Sequence, residues 1–148
     1  MTIKEKVEAG IKDAMKAKDA ERLSALRMIK AELLLKEKET GKKLEDAQAE
    51  DALQKMFRKY KKAMEEYQSL GKTDVVQNYE RDLKIIESFM SAPMMDEAAI
   101  RHELEELVVE MSAVPKDFGK VMKAFMAEHK NADGKIVSSI LKELLEKQ

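Results

Sequence analysis

Phe118-Gly119-Lys120-Val121-Met122-Lys123-Ala124-Phe125-Met126, followed by Asn131-Ala132-Asp133-Gly134-Lys135-Ile136-Val137, is the stretch that decides the fold class. Phe118, Val121, Met122, Phe125 and Met126 fall at i, i+3, i+4, i+7 and i+8, an apolar stripe at the helical period. Lys116, Lys120 and Lys123 run down the opposite side, and no Asp or Glu interrupts that row. Asp133-Gly134 then breaks the helix and opens another, which closes on Leu144-Leu145. The chain therefore ends in a helix, a tight turn and a second helix.

Working upstream, Asp96 caps a fifth helix carrying Ile100, Leu104, Leu107, Val108 and Met111, closed by Ser112-Ala113-Val114-Pro115. Before it, Ser91-Ala92-Pro93 is a break, because proline keeps the preceding residue out of helical geometry. Four more helices precede that break. Thr2 with Glu5 forms a Thr-x-x-Glu capping box for a short helix running to about Ala17, with Ile3, Val7, Ile11, Ala14 and Met15 at helical spacing. Asp19 caps the second, whose apolar positions are Leu23, Leu26, Ile29, Leu33 and Leu34 and which stops at Thr40-Gly41. From Asp46 a long third helix presents Ala49, Leu53, Met56, Phe57, Tyr60, Met64 and Tyr67, ending at Leu70-Gly71. Thr73 or Asp74 caps the fourth, with Val75, Val76, Tyr79, Leu83, Ile86 and Phe89 facing inward. No alternating run of strand length occurs. The expectation is an all-α chain: an N-terminal four-helix bundle over residues 1–92 joined to a C-terminal three-helix bundle over residues 93–148.

Composition agrees. Charged residues make up 39% of the chain and aromatics 5%, with two Pro, no Trp and no Cys. That balance suits solvated helices, and the lack of Cys excludes a disulfide framework, a zinc-thiolate site and a cysteine nucleophile. No apolar run reaches the length of a membrane span and the N-terminus does not read as a signal peptide, so a soluble cytoplasmic protein is expected. With a net charge of −1 the molecule as a whole does not attract nucleic acid, and any such role needs a local patch.

Catalytic constellations are poor. The two histidines, His102 and His129, lie in no metal-binding spacing and read as solvated or capping residues; the many carboxylates read as the surface of charged helices. No catalytic residue, metal ligand or cofactor site is expected. Basic faces are better candidates. On the sixth helix Lys116, Lys120, Lys123 and, if the helix extends that far, Lys130 share a side, with Lys135 across the turn; a phosphate-backbone contact and a solvated surface are both open readings. On the third helix Lys55, Arg58, Lys59 and Lys62 recur at i, i+3, i+4 and i+7, and a solvated surface is the simpler reading there. No aromatic side chain interleaves with the sixth-helix lysines, which argues for backbone or shape contact over base reading. Asp133 reads as a helix cap that would repel a bound phosphate, and Lys30, inside the apolar arc of the second helix, as a snorkelling or ion-paired lysine. Met90, Met94 and Met95 make an adaptable seam at the break.

Several runs together carry a family resemblance: Ala14-Met15-Lys16-Ala17-Lys18-Asp19 with Arg22-Leu23, Leu26-Arg27-Met28-Ile29-Lys30, Glu65-Glu66-Tyr67 to Gly71, Gly119-Lys120-Val121-Met122, and Ala132-Asp133-Gly134-Lys135 with Val137. In this order they resemble the GatB/YqeY family, over essentially the whole chain and at the size of its small stand-alone YqeY members. The C-terminal part is similar to the tail domain of the B subunit of glutamine-dependent Asp-tRNA/Glu-tRNA amidotransferase. The resemblance implies the four-plus-three helix plan and an accessory module that faces tRNA or structured RNA, without a catalytic site of its own. Two alternatives accompany it: a protein-interaction module docking a translation or amidotransferase component, and a carbon–nitrogen ligase using glutamine, supported by family association alone. A monomer is expected. Two departures from the family pattern stand out: Lys123 replaces a usual second glycine and adds a cation, and His129-Lys130-Asn131 shortens a turn that is commonly longer and more basic.

Overall fold

Gly41 at φ 68° and Gly71 at φ 72° stop two long helices in the left-handed region, which glycine enters without a Cβ penalty. They end α2 (Ala20–Thr40) and follow α3 (Asp46–Ser69). The computed structural model describes residues 1–147 and holds seven α-helices, one 3-10 turn and, among the described residues, no strand. The all-α expectation holds. No described helix is long and apolar enough to cross a membrane. The chain divides into two compact units, Met1–Ala92 and Pro93–Gln148.

The first unit contains α1 (Ile3–Lys16), α2, α3 and α4 (Thr73–Ser88). Its centre is α2, which packs on each of the other three through Leu26, Ile29 and Leu33, all fully buried. Val7 of α1, Leu53 and Phe57 of α3 and Leu83 and Ile86 of α4 complete the core. The first turns of α3 anchor distant chain: Asp46 accepts a hydrogen bond from the Ile3 N–H at 2.9 Å, and Glu50 accepts from the Ser91 N–H at 2.9 and 3.1 Å. Such charge-assisted bonds hold the two ends of the unit against one helix.

Local punctuation departs from expectation in three places here. Thr2 Oγ1 accepts from the Glu5 N–H at 3.2 Å, but the return bond of a capping box does not form. The N-cap of α4 is Lys72, with no side-chain cap; Thr73 and Asp74 already lie within the helix. Leu34 is not in the core: one residue round from Leu33, it is turned 100° away and stays exposed, while Ile85 and Gln54, unmarked by the apolar pattern, are buried. Lys30 is half-buried with Nζ 4.0 Å from Glu8, the ion-paired arrangement.

The second unit contains α5 (Glu97–Met111), a 3-10 turn (Pro115–Asp117), α6 (Phe118–Glu128) and α7 (Gly134–Glu146). The three helices pack pairwise around Ile100, Leu104, Val121, Phe125, Val137 and Leu141, each fully buried. Asp96 caps α5 by accepting from the Ala99 N–H at 2.7 Å, a bond worth about 1 kcal/mol of helix stability. Ser112 ends α5 at φ 50°, left-handed without the relief of glycine, at a cost of about 1–2 kcal/mol.

Candidate nucleic-acid interface

Burial of Val121 and Phe125 fixes the rotation of α6 about its own axis. Phe118, Met122 and Met126 follow them to the half-buried flanks, so Lys120 and Lys123 are left on the exposed side. Among the described residues neither lysine has a carboxylate within 4.0 Å, and the same holds for Lys116, Lys130 and Lys135. All five are exposed.

The row itself is shorter than its spacing implied. Lys116 lies in the 3-10 turn, where residues advance 120° instead of 100°, so it leaves the straight line of Lys120 and Lys123. At the other end α6 stops at Glu128, and Lys130 falls outside it, in the link before α7. The helix stops where His129 leaves helical geometry at φ −122°, ψ 71°: its backbone N–H makes the last α-helical bond, to the Phe125 carbonyl at 2.9 Å, while its ring packs on Phe125 at 4.4 Å between centroids and Nε2 lies 4.0 Å from Glu103. His129 is thus the C-cap of α6, a structural role.

Lys135 opens α7. Its backbone N–H donates to Asp133 Oδ1 at 2.9 Å, so Asp133 takes the capping role and leaves the Lys135 ammonium to solvent. The link between α6 and α7 is held by Asn131, whose Nδ2 donates to the Pro93 carbonyl at 2.8 Å and whose carbonyl accepts from the Met95 N–H at 2.9 Å. That residue carried no functional weight in the sequence beyond marking a turn; Asn in turns commonly bonds nearby backbone, but its partners here are far away in sequence.

Several acidic groups of this unit are engaged by other residues, whereas Glu128, the last residue of α6, is exposed. Arg101 on α5 forks onto Glu143 of α7 at 3.1 and 3.5 Å, and Lys147 reaches the same carboxylate at 3.1 Å. Hydrogen bonds from Arg101 and Lys147 hold Glu143 below the usual carboxylate value and the pair raises Arg101 further. Asp117 Oδ2 accepts from the Val114 N–H at 3.0 Å. Of the exposed carboxylates, Glu97, Glu105, Glu106 and Glu110 belong to α5, Glu128 to α6 and Glu146 to α7, and His102 Nε2 lies 3.2 Å from Glu106.

On α3 the second basic face is divided. Lys55 pairs with Asp51 at 3.3 Å, and Lys36 of α2 meets the same carboxylate at 3.4 Å. Arg58 is half-buried, leaving Lys59 and Lys62 exposed and without a carboxylate within 4.0 Å among the described residues. Further along the α3–α4 pair, Tyr79 meets Tyr60 edge-on at 5.6 Å and stacks on Tyr67 at 5.8 Å, with Lys72 Nζ 6.0 Å from the Tyr67 ring centre. Burial, with Asp82 and Glu32 nearby, pushes the Tyr60 hydroxyl up. These rings stack on one another. No group of three or more His, Asp or Glu side chains able to hold a metal occurs among the described residues.

The sequence model of the YqeY-like proteins matches residues 4–145, a span that includes every lysine of both faces. The chain belongs to the YqeY-like protein family. No curated protein matches it. In this YqeY-like protein both candidate faces hold exposed cations without a carboxylate within 4.0 Å among the described residues, more of them around α6 than on α3; other exposed lysines, Lys6, Lys12, Lys42, Lys43 and Lys84 among them, share that property elsewhere on the surface.

Proposed function

We propose that this YqeY-like protein is an accessory RNA-binding protein that grips the phosphate backbone of tRNA or another structured RNA through Lys120, Lys123 and Lys135, with Lys116 and Lys130 at the margins. The single observation that carries the reading is the set of exposed lysines on and around α6 with no carboxylate partner among the described residues. Cations already paired would have to exchange one anion for another; these need only release counterions from the RNA, which is the favourable step in phosphate binding. Lysine suits this task as a point charge that positions without reading bases. Glu105, Glu106 and Glu110 on α5 repel phosphate, which favours docking by the α6 side at its Lys120–Lys123 part, away from Glu128 at the end of that helix. The resemblance to the amidotransferase tail domain points to the same class of ligand.

Filter binding of the full chain to total tRNA across a salt series tests this. Affinity should fall with log salt at a slope of about 2–3, close to one unit per lysine engaged. Lys120→Glu, Lys123→Glu and Lys135→Glu combined should remove binding. Salt-independent binding, or binding that survives the triple change, would refute the assignment.

A further inference from the structure

Three of the chain's 5 glycines have a reason within the fold. Gly41 and Gly71 take the left-handed backbone already described, and at Gly10 a Cβ would come within 3.4 Å of Leu26 and 3.6 Å of Phe89. Gly119 and Gly134 have no such reason. Neither has a positive φ, and a Cβ added at either finds open space, with no packed atom within 4 Å. Both stand directly before a lysine of the α6 face, Gly119 before Lys120 and Gly134 before Lys135. Gly119 is the more telling, because it lies within α6 just after the 3-10 turn from Pro115, and glycine inside a helix gives up stability that alanine would keep. Gly134 is the first residue of α7, outside the helix interior where that cost applies.

Position around the helix gives the missing side chain a use. At about 100° per residue, Lys123 lies about 40° from Gly119 and Lys120 about 100°, whereas the buried Val121 and Phe125 lie about 200° and 240° away. Gly119 is therefore on the outward side with the two lysines, and it is exposed. The half-buried Met122 flanks it on the other side, about 60° round. We propose that Gly119 is a close-approach position for RNA: a ribose of the sugar–phosphate strand lies on the uncovered backbone of α6 there, and the adjoining phosphates meet Lys120 and Lys123. The proposal rests on the RNA reading of this face and adds a steric requirement to it. Lysines alone hold a strand at the reach of flexible side chains. A bare helix surface beneath it adds van der Waals contact with the sugar and excludes water around the ion pairs, which strengthens them. Any side chain at position 119 acts as a spacer that props the strand away. Glycine serves this contact at a cost to the helix, the usual direction of trade between stability and function.

Gly119→Ala and Gly119→Gln in the full chain test it, by filter binding to total tRNA at low salt and by thermal melts of the same proteins. Both replacements are good helix formers without charge, and the free chain has room for them, so both variants should melt at or above the temperature of the unaltered chain. Their tRNA affinity should fall all the same, about threefold for Gly119→Ala and about tenfold or more for Gly119→Gln, the scale of an overpacked contact. The salt slope should hold its value, since no cation is removed. Ala98→Gln, exposed on α5, is the control and should change affinity by less than about twofold. A gain in stability joined to a loss of binding is a signature that a purely structural glycine does not give. If the unaltered chain binds tRNA and Gly119→Gln binds it equally well, the close approach is overturned and the lysine reading stands. A lowered melting temperature for Gly119→Ala overturns it too, because the fold itself would then require the glycine, as does an equal loss of affinity from Ala98→Gln. Absence of tRNA binding by the unaltered chain removes the lysine reading and this proposal with it.

Discussion

α3 and α6 carry lysines at the same helical spacing, and the two faces differ in what lies beside them. On α3, Asp51 sits one turn from Lys55 and also meets Lys36, so part of the row is neutralised within the protein. On α6 the corresponding positions hold glycine, alanine and methionine, and Asp117 is spent on the Val114 N–H. Lysine spacing is therefore a weak guide to an anion-binding face; the deciding quantity is which carboxylates reach the ammonium groups.

The comparison breaks most severely if the support under α6 is removed. Phe125 is fully buried and, with Val121, sets the direction in which Lys120 and Lys123 project. Phe125→Ala should destabilise the second unit by about 3–5 kcal/mol, read as a lowered unfolding transition. RNA binding should fall with it, whereas Phe57→Ala, under α3, should cost stability in the first unit and leave RNA binding of the folded protein intact. Next in size is the charge itself. Reversing Lys120, Lys123 and Lys135 together should lower tRNA affinity by at least about a hundredfold at low salt and flatten the salt dependence. All three side chains are exposed, so the melting temperature should hold within the small range usual for surface changes.

Lys59→Glu with Lys62→Glu on α3 is the matched control. These lysines are also exposed, and their reversal should change tRNA affinity by no more than about threefold, through the long-range field alone. An equal loss from both sets of variants would mean that net charge, and not the α6 face, governs binding.

Much of the architecture is readable in the chain because it is local. The stops at Gly41 and Gly71 and the caps at Asp19, Asp96 and Asp133 are decided within a few residues, and apolar spacing at the helical period identifies Leu26, Leu53, Leu104 and Phe125 as core. What escapes depends on distant partners. Lys36 comes from another helix to share Asp51, and Asn131 bonds Pro93 across 38 positions. Leu34 is misassigned by its spacing because an apolar residue next to the stripe reads as core until the neighbouring helices fix the rotation. Lys130 belongs to the α6 row only if that helix extends past it, and the backbone leaves helical geometry at His129, one residue earlier.

The smallest expected effect separates the two faces through pH. Burial raises the Asp51 carboxyl, but Lys55 and Lys36 together outweigh it and hold the group below its ordinary value of 3.8. A carboxylate with a lower pKa folded than unfolded contributes stability that is complete above the unfolded value, near pH 4, and is lost as pH falls through the folded value. Asp51 is 49% exposed, so solvent screening keeps that contribution below about 1 kcal/mol. Asp51→Asn should therefore lower the melting temperature slightly at pH 7, and the gap from the unaltered chain should close as pH drops below about 4. Persistence of the full gap at pH 3 would mean that Asp51 acts by packing and not by charge. The same variant releases Lys55, so tRNA affinity at low salt should rise by less than about twofold; a larger gain would show that pairing alone had kept the α3 face from binding.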